Sequence, residues 1–596
     1  MAGSNSMGFF ELPQRTQRTQ RFVQRISRLG SVGVFLCALC VLCVLCGFLP
    51  LLVSGCSAKS KESPKKKSSS AKSVLADDAS SKAAPDPASA NNHRIPKPGA
   101  SANSGRGGLR GGGHPLAGQD RTLENLLEQA DDPFSDGFAS GGGNARSGGD
   151  DLKPFTPAER YAAPNPSYGD VDEAALTKNG IRRIDGKHLT LFTDLPSSPE
   201  VDALPRVFDA AFPQWCAYFG LDAARYDNWK MFGRLMKEPQ RFRAAGLFGP
   251  EVPNFNNGYQ IRDGLWLNEQ STAYYRRHLL LHEGTHGLMS TLLGGMGPPW
   301  YSEGMAELFA THQWAGGQLT TGYFPRDKRE TPDWGRVKIL QDEVTAGNLK
   351  SLADVMKYGW QAHLRNEPYA WCWAAAEFLD THPDSRAAFR EMKAFAPVTG
   401  IDFSRRLSHR LGDRWSKLEE QWQLFVGNCE YGYDIEREAI IYRDATAIDA
   451  GGGGTCEIAA DRGWQSSGYE LLANETYTIT ASGRFQIAAD PAPWISEANG
   501  VTIRYHNGKP LGVLLAAVRN DDFGRYQRTP LLTPEVIGLG RPFTPNETGT
   551  LYFRVNDHPA ELIDNRGKVQ VNIQHGAPEA AQSVPAPRDG EGGFEL

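Results

Sequence analysis

Cysteine is scarce and unevenly placed. The 596-residue chain has nine, and five of them, Cys37, Cys40, Cys43, Cys46 and Cys56, fall before residue 57. The other four, Cys216, Cys372, Cys429 and Cys456, are too few to build a fold on disulfides, although Cys429 and Cys456 are near enough in sequence to pair. A charge excess of one sign is also lacking. Lys and Arg number 64 against 69 Asp and Glu, and the net −5 gives no footing for a nucleic-acid partner. Residues 57–155 have little apolar surface. They are rich in Ser, Lys, Ala, Pro, Gly and Asn, as in Lys65-Lys66-Lys67-Ser68-Ser69-Ser70 and Gly111-Gly112-Gly113, with only 123–127 breaking the pattern. Such a stretch cannot bury enough to fold and reads as a disordered linker. What remains is long enough for two domains with substantial cores.

The amino end has the opposite character. An apolar run over 32–53 follows Arg15, Arg18, Arg21, Arg25 and Arg28, which is the layout of an export signal. The run is long enough to span a bilayer, so a retained transmembrane anchor is the competing reading. Val53-Ser54-Gly55-Cys56 resembles the lipobox of bacterial lipoproteins, in which the cysteine is lipidated and becomes the mature amino terminus. That resemblance makes 1–56 a signal peptide, Cys56 the lipidation site and the bacterial cell envelope the location, with the membrane as a partner through the lipid anchor. The basic residues before the run and the polar tail after it favour this reading over a spanning helix.

The chemistry centres on His282-Glu283-Gly284-Thr285-His286 and, downstream, Trp300-Tyr301-Ser302-Glu303-Gly304-Met305-Ala306-Glu307. Residues 273–293 are rich in helix formers, with Ser271 as an N-cap and Gly294-Gly295 as a stop. Histidines four apart on that helix share a face, so both imidazoles can reach one ion. Two imidazoles and one carboxylate, His282, His286 and Glu303, leave a fourth position to water and make a catalytic zinc site. Glu283 would take the proton from that water. The bland alternative is a buried amphipathic helix with satisfied histidines. Against it stand Glu303 and Glu307, two carboxylates on one helix face that need a cation and a histidine to justify their burial. His278 lies one turn before His282, but histidines at i, i+4 and i+8 span about 12 Å, too far for one ion. His312, beyond Glu307, has two readings, a residue lining the cleft or a surface histidine, and the second is favoured.

This pair of motifs resembles the gluzincin metallopeptidases, the peptidase MA-like group. The resemblance covers residues 180–430 and implies zinc ligands at His282, His286 and Glu303, the general base at Glu283, and at Glu307 a carboxylate that holds a histidine ligand. Tyr369-Ala370-Trp371-Cys372-Trp373-Ala374-Ala375-Ala376-Glu377-Phe378-Leu379 resembles the helix that carries the transition-state tyrosine in the M1 aminopeptidases, which makes Tyr369 the candidate for binding the oxyanion. The Gly-x-Met-Glu-Asn segment with which those aminopeptidases hold a free amino terminus is missing. Exo- and endo-action therefore both stay open.

Around the motif, 188–193 alternates like a strand, 203–219 is periodic like a helix, and 229–232 and 264–268 read as further strands. Residues 264–269 are the expected edge strand, where a gluzincin pairs with extended peptide. Helices are expected over 339–358 and 377–414, and over 415–426 with Leu418, Trp422 and Phe425 as core.

The texture changes near residue 462. Short strands at 477–481, 512–518, 550–555 and 568–573 between turn-rich loops argue an all-β sandwich. Asn556-Asp557-His558-Pro559-Ala560-Glu561-Leu562-Ile563-Asp564-Asn565-Arg566-Gly567 is similar to the closing segment of the bacterial galactophilic calcium lectin family. By that resemblance Asp557, Asp564 and Asn565 give side-chain oxygens and Glu561 a backbone carbonyl to calcium, a hard cation suited to such donors. The alternative is that these Asp and Asn residues only form turns. The lectin family contacts sugar partly from a loop that corresponds here to the shorter Tyr505-His506-Asn507-Gly508.

The expected fold class is therefore α+β. It comprises a signal peptide (1–56), a linker (57–155), a gluzincin-like domain (156–435), a Gly-rich connection (436–461), a lectin-like β-sandwich (462–576) and a disordered tail (577–596). The expected function is that of an exported zinc metallopeptidase acting on peptide or protein, with calcium as a second ion and carbohydrate as a further partner. The rivals are a surface carbohydrate-binding protein with a silent peptidase-like scaffold, and a zinc hydrolase of a non-peptide substrate.

Overall fold

The computed structural model describes residues 168–520 and 527–576, all within one compact unit. The export segment with Cys56, the linker at 57–155 and the tail at 577–596 lie outside the described residues. The architecture is mixed α and β, with helices and a small sheet first and a β-rich region after them. Among the described residues no helix is long and apolar enough to cross a membrane.

Strands β1 (Arg182–Asp185), β2 (Leu189–Thr193), β3 (Met231–Met236), β4 (Gly258–Ile261) and β5 (Gly264–Asn268) form one sheet in the order β1-β2-β3-β5-β4. The three inner strands are parallel, and β1 and β4 close the two edges antiparallel. Every residue of β2 is buried, as expected for an inner strand covered on both faces. Helix α1 (Leu204–Phe219) makes the crossover from β2 to β3, with Val207, Phe208, Ala211 and Trp215 in the main core. The edge differs from the expectation. Gly264–Asn268 is internal and almost wholly buried, and the edge is β4, joined to it by a two-residue turn with Arg262 at φ 51°. β4 is too short and too mixed, as Gly-Tyr-Gln-Ile, to stand out in sequence.

Helix α2 (Ala273–Leu292) packs against α1, β5 and β4. Thr272 is its N-cap, accepting from the Tyr275 N–H, while the Ser271 hydroxyl donates to Asp333 instead. Helices α3 (Pro299–Ala310), α4 (Arg336–Thr345), α5 (Glu367–Thr381) and α6 (Arg414–Gly427) follow and share the same core.

In the β-rich region one sheet contains β7 (Gln465–Leu471), β9 (Asn499–His506), β10 (Lys509–Arg519) and β12 (Gly549–Val555) in the order β9-β10-β12-β7. The other contains β6 (Gly453–Ala459), β8 (Tyr477–Ser482), β11 (Gly540–Phe543) and β13 (Lys568–His575) in the order β11-β8-β13-β6. Ile458, Ile479, Val571 and Ile573 of one sheet meet Leu514, Ala516, Leu551 and Phe553 of the other in a single core. The stretch 436–461 is thus not all connection. Its glycines disguise β6, whose Cys456 and Ile458 point inward and which pairs along its length with β13. Cys429 and Cys456 are both buried and unpaired.

Leu424 of α6, Ile440 and Trp464 join Leu515, Leu531 and Tyr552 in an apolar junction between the two regions. Two buried ion pairs flank it: Arg519 to Glu420 at 2.7 Å, and Arg554 forked on Glu438 at 2.8 and 2.9 Å. Losing one partner would leave the other buried and uncompensated, which typically costs about 3–5 kcal/mol. The β-rich region is therefore fixed on the helices.

Candidate metal centre

Helix α2 brings His282 and His286 to one face, and α3 lies against it with Glu303 and Glu307. Gly304 is what lets α3 lie so deep. A Cβ there would fall 2.8 Å from the Cys372 carbonyl oxygen and 3.0 Å from the Ala376 Cβ, so α3 and α5 cross at backbone contact.

Three donor atoms converge. His282 Nε2 and His286 Nε2 are 3.2 Å apart, and Glu303 Oε2 lies 3.2 Å from the first and 3.4 Å from the second. Donors at about 2.0–2.1 Å from a tetrahedral zinc ion would be about 3.3–3.4 Å from one another, so the triangle has the right size. The other ring nitrogens are engaged: His282 Nδ1 faces Glu307 Oε1 at 3.4 Å and His286 Nδ1 meets Ser302 Oγ at 3.2 Å. With Nδ1 serving as donor, each Nε2 lone pair is free to turn inward. Among the described residues Glu303 Oε2 is buried without a hydrogen-bond partner of good geometry, an orphan that a cation would satisfy. The donor set fits zinc.

The electrostatics agree with an ionised Glu303. Burial alone would raise its carboxyl, but His286 and His282 hold it far below the usual range. Burial alone would lower His282, and Glu303 and Glu307 more than offset that, so a metal binding at Nε2 would displace a proton from the ring. Glu283 is also buried, and desolvation raises its carboxyl against the opposing pull of His282 and His286. Tyr369 stands half-buried in the first turn of α5, its ring centroid 6.0 Å from that of His282. Burial raises its phenol first, and Glu303, Glu283 and Glu307 add to it, so the hydroxyl stays protonated and able to donate.

Glu307 is 1% exposed and belongs to a different set of contacts. Arg336 donates to both of its oxygens, at 2.8 and 3.0 Å, and His278 Nε2 lies 3.5 Å away. His278, His282 and Glu307 also converge, but the guanidinium already occupies Glu307, so that group is a support and not a second metal site. His278 is fixed through Nδ1 to the Ala310 carbonyl at 3.0 Å. His312, expected at the surface, is buried instead. Its Nδ1 donates to the Ala310 carbonyl, its Nε2 accepts from Arg277, and its ring stacks on Tyr274 at 4.6 Å. Two contributors escaped the sequence reading. Ser302 was visible as the neighbour of Glu303, whereas Arg336 carries no local signal.

In the β-rich region the Asp557 carboxylate accepts from the His558 N–H at 2.7 Å and from Asn565 Nδ2 at 2.8 Å. Asn565 Nδ2 also donates to the Ala460 carbonyl, which leaves Oδ1 buried and without a partner among the described residues. Asp564 accepts from the Ala489 N–H through Oδ2, and its Oδ1 is likewise unpartnered. Burial pushes Asp557 up to about 6, with Asn565 and the His558 N–H opposing. The Glu561 carboxylate is turned to Arg504 at 2.6 and 2.7 Å. Asn507-Gly508 makes the turn between β9 and β10, Tyr505 and His506 end β9, and the His506 ring is 5.3 Å from that of His558.

No family model matches the chain, and no curated protein sequence matches it. Among solved structures it is similar to the N-terminal domain of EclA, described as a PllA-like lectin, at 20% identity over 20% of this chain and 95% of that one, with a TM-score of 0.16. It is also similar to IMPa from Pseudomonas aeruginosa in complex with an O-glycopeptide, at 11% identity over 68% of this chain and 44% of that one, with a TM-score of 0.13. At these scores neither likeness carries an argument about function.

Proposed function

We propose that the protein is a zinc metallopeptidase of gluzincin type, exported and lipid-anchored at Cys56, with a β-domain that carries a calcium site. The observation that carries the reading is the buried triangle of His282 Nε2, His286 Nε2 and Glu303 Oε2, with Glu283 beside it. A bound zinc ion would supply Lewis acidity to a water and to the scissile carbonyl. Glu283 accepts the proton of the attacking water and delivers it to the leaving amine. Tyr369 donates to the oxygen on which negative charge grows. The edge strand β4 offers unpaired backbone groups to an extended substrate. Glu307 and Ser302 hold the two imidazoles in the tautomer that faces inward.

A second, binding role is supported by the Asp564 and Asn565 oxygens that have no partner among the described residues, Asn565 being bonded to Asp557 through its amide nitrogen. In that role the β-domain holds calcium and, through it, carbohydrate. Cleavage profiling of the purified protein on a broad peptide library, with and without chelator, tests the main reading. Chelator-sensitive cleavage is expected. A fully zinc-loaded protein that cleaves no peptide would favour a binding scaffold or a non-peptide substrate.

A further inference from the structure

Arg336 has no part in the chemistry just described, yet it is among the most deeply set charges in the protein, 6% exposed at the start of α4. Its guanidinium forks onto Glu307, with Nη2 2.8 Å from Oε1 and Nε 3.0 Å from Oε2, and Nη1 lies 3.3 Å from the Trp334 carbonyl. The same Glu307 Oε1 faces His282 Nδ1 at 3.4 Å. The guanidinium carbon is 5.7 Å from the centroid of the Tyr369 ring. One side chain thus touches, directly or through one carboxylate, an imidazole on α2, the acid on α3 and the tyrosine on α5.

We infer that Arg336 is a positioning residue: it fixes the orientation of His282 through Glu307 and seats Tyr369 over the same centre. The inference rests on the reading of His282, His286 and Glu303 as metal ligands. The geometry requires arginine. A guanidinium meets both carboxylate oxygens in one plane and presents a flat cationic face to a ring, whereas an ammonium meets one oxygen as a point charge. With both oxygens held, Glu307 cannot rotate toward His278 Nε2, 3.5 Å from Oε2, or leave His282 Nδ1 without its acceptor. Partners of metal-bound histidines typically contribute about 10–100-fold to metal affinity.

The test is zinc affinity, measured by chelator competition on the full chain for wild type, H282A, E307Q, R336K, R336M and the double variant E307Q/R336M, with the absorption spectrum of the cobalt-loaded protein as a second readout. R336M is expected to weaken zinc by about 10–100-fold and to shift the cobalt bands, with R336K in between. Because Arg336 acts on the metal through Glu307, the double variant should bind zinc no more weakly than E307Q alone. R336M affinity within twofold of wild type, or losses that add in the double variant, would overturn the inference. If R336M fails to fold, R336K and the double variant, which leaves no buried unpaired charge, decide the matter. Wild type that binds no zinc, or H282A that binds it as wild type does, overturns the metal reading itself.

Discussion

The backbone of Gly258, on the edge strand β4, runs directly against the side chain of Glu283. A Cβ at Gly258 would lie 2.9 Å from both Cγ and Cδ of Glu283, closer than carbon atoms come without one of them moving. The edge strand and the proposed base are therefore in register by contact. The atoms that must give way belong to the free end of a side chain, so Gly258→Ala should change the melting temperature little. It should displace the carboxyl, and a misplacement near 1 Å can cost about 100-fold in rate. Expected are unchanged zinc content and a kcat lowered by roughly 10–100-fold, read by metal analysis and steady-state kinetics. An unchanged kcat would separate β4 from the chemistry.

The helical spacing of His282 and His286, and of Glu303 and Glu307, was legible because it is local: residues four apart share a helix face wherever the helix packs. Arg336 was not legible, since it meets Glu307 only after α4, packed on α5 and α6, brings its first turn to the acid on α3. The edge strand was misplaced because β5 is the more apolar of the two strands, and its burial comes from being internal. β6 was hidden by Gly453 and Gly454, although Cys456 and Ile458 already alternate toward the core. His312 shows the limit of polarity as a guide. Its ring is buried only because Tyr274, Arg277 and the Ala310 carbonyl gather around it.

A pH prediction comes from Glu377, on α5. It is buried, its Oε2 has no hydrogen-bond partner among the described residues, and Thr381 Oγ1 lies 3.4 Å from Oε1. Burial, with Asp380 adding, lifts its carboxyl to about 8 from an ordinary 4.5. The native state then keeps a proton that the unfolded chain gives up. The stabilisation is full below about pH 4.5 and is lost as pH rises toward 8, on the order of a few kcal/mol in all. Glu377→Gln should flatten the fall of melting temperature between pH 5 and pH 8. Equal slopes in the two proteins would mean that Glu377 ionises in place.

Calcium should stabilise the β-rich region by mass action, by about 2.7 kcal/mol when free ion is a hundredfold above its dissociation constant. Magnesium should do less, since it demands a tighter octahedral shell. Asp557→Asn together with Asp564→Asn should remove the calcium-dependent shift in melting temperature. If wild type melts at the same temperature in excess calcium and in chelator, the 557–565 loop is a turn that holds no calcium.

The central claim is that Glu283 is the base beside a zinc held by His282, His286 and Glu303. Glu283→Gln keeps the shape and removes the basic oxygen, so zinc content and peptide hydrolysis measured on the same sample separate the two roles. One zinc per chain is expected in wild type and variant alike, with the variant's kcat lower by roughly 100- to 10,000-fold. A variant that holds its zinc and cleaves peptide at the wild-type rate would contradict it.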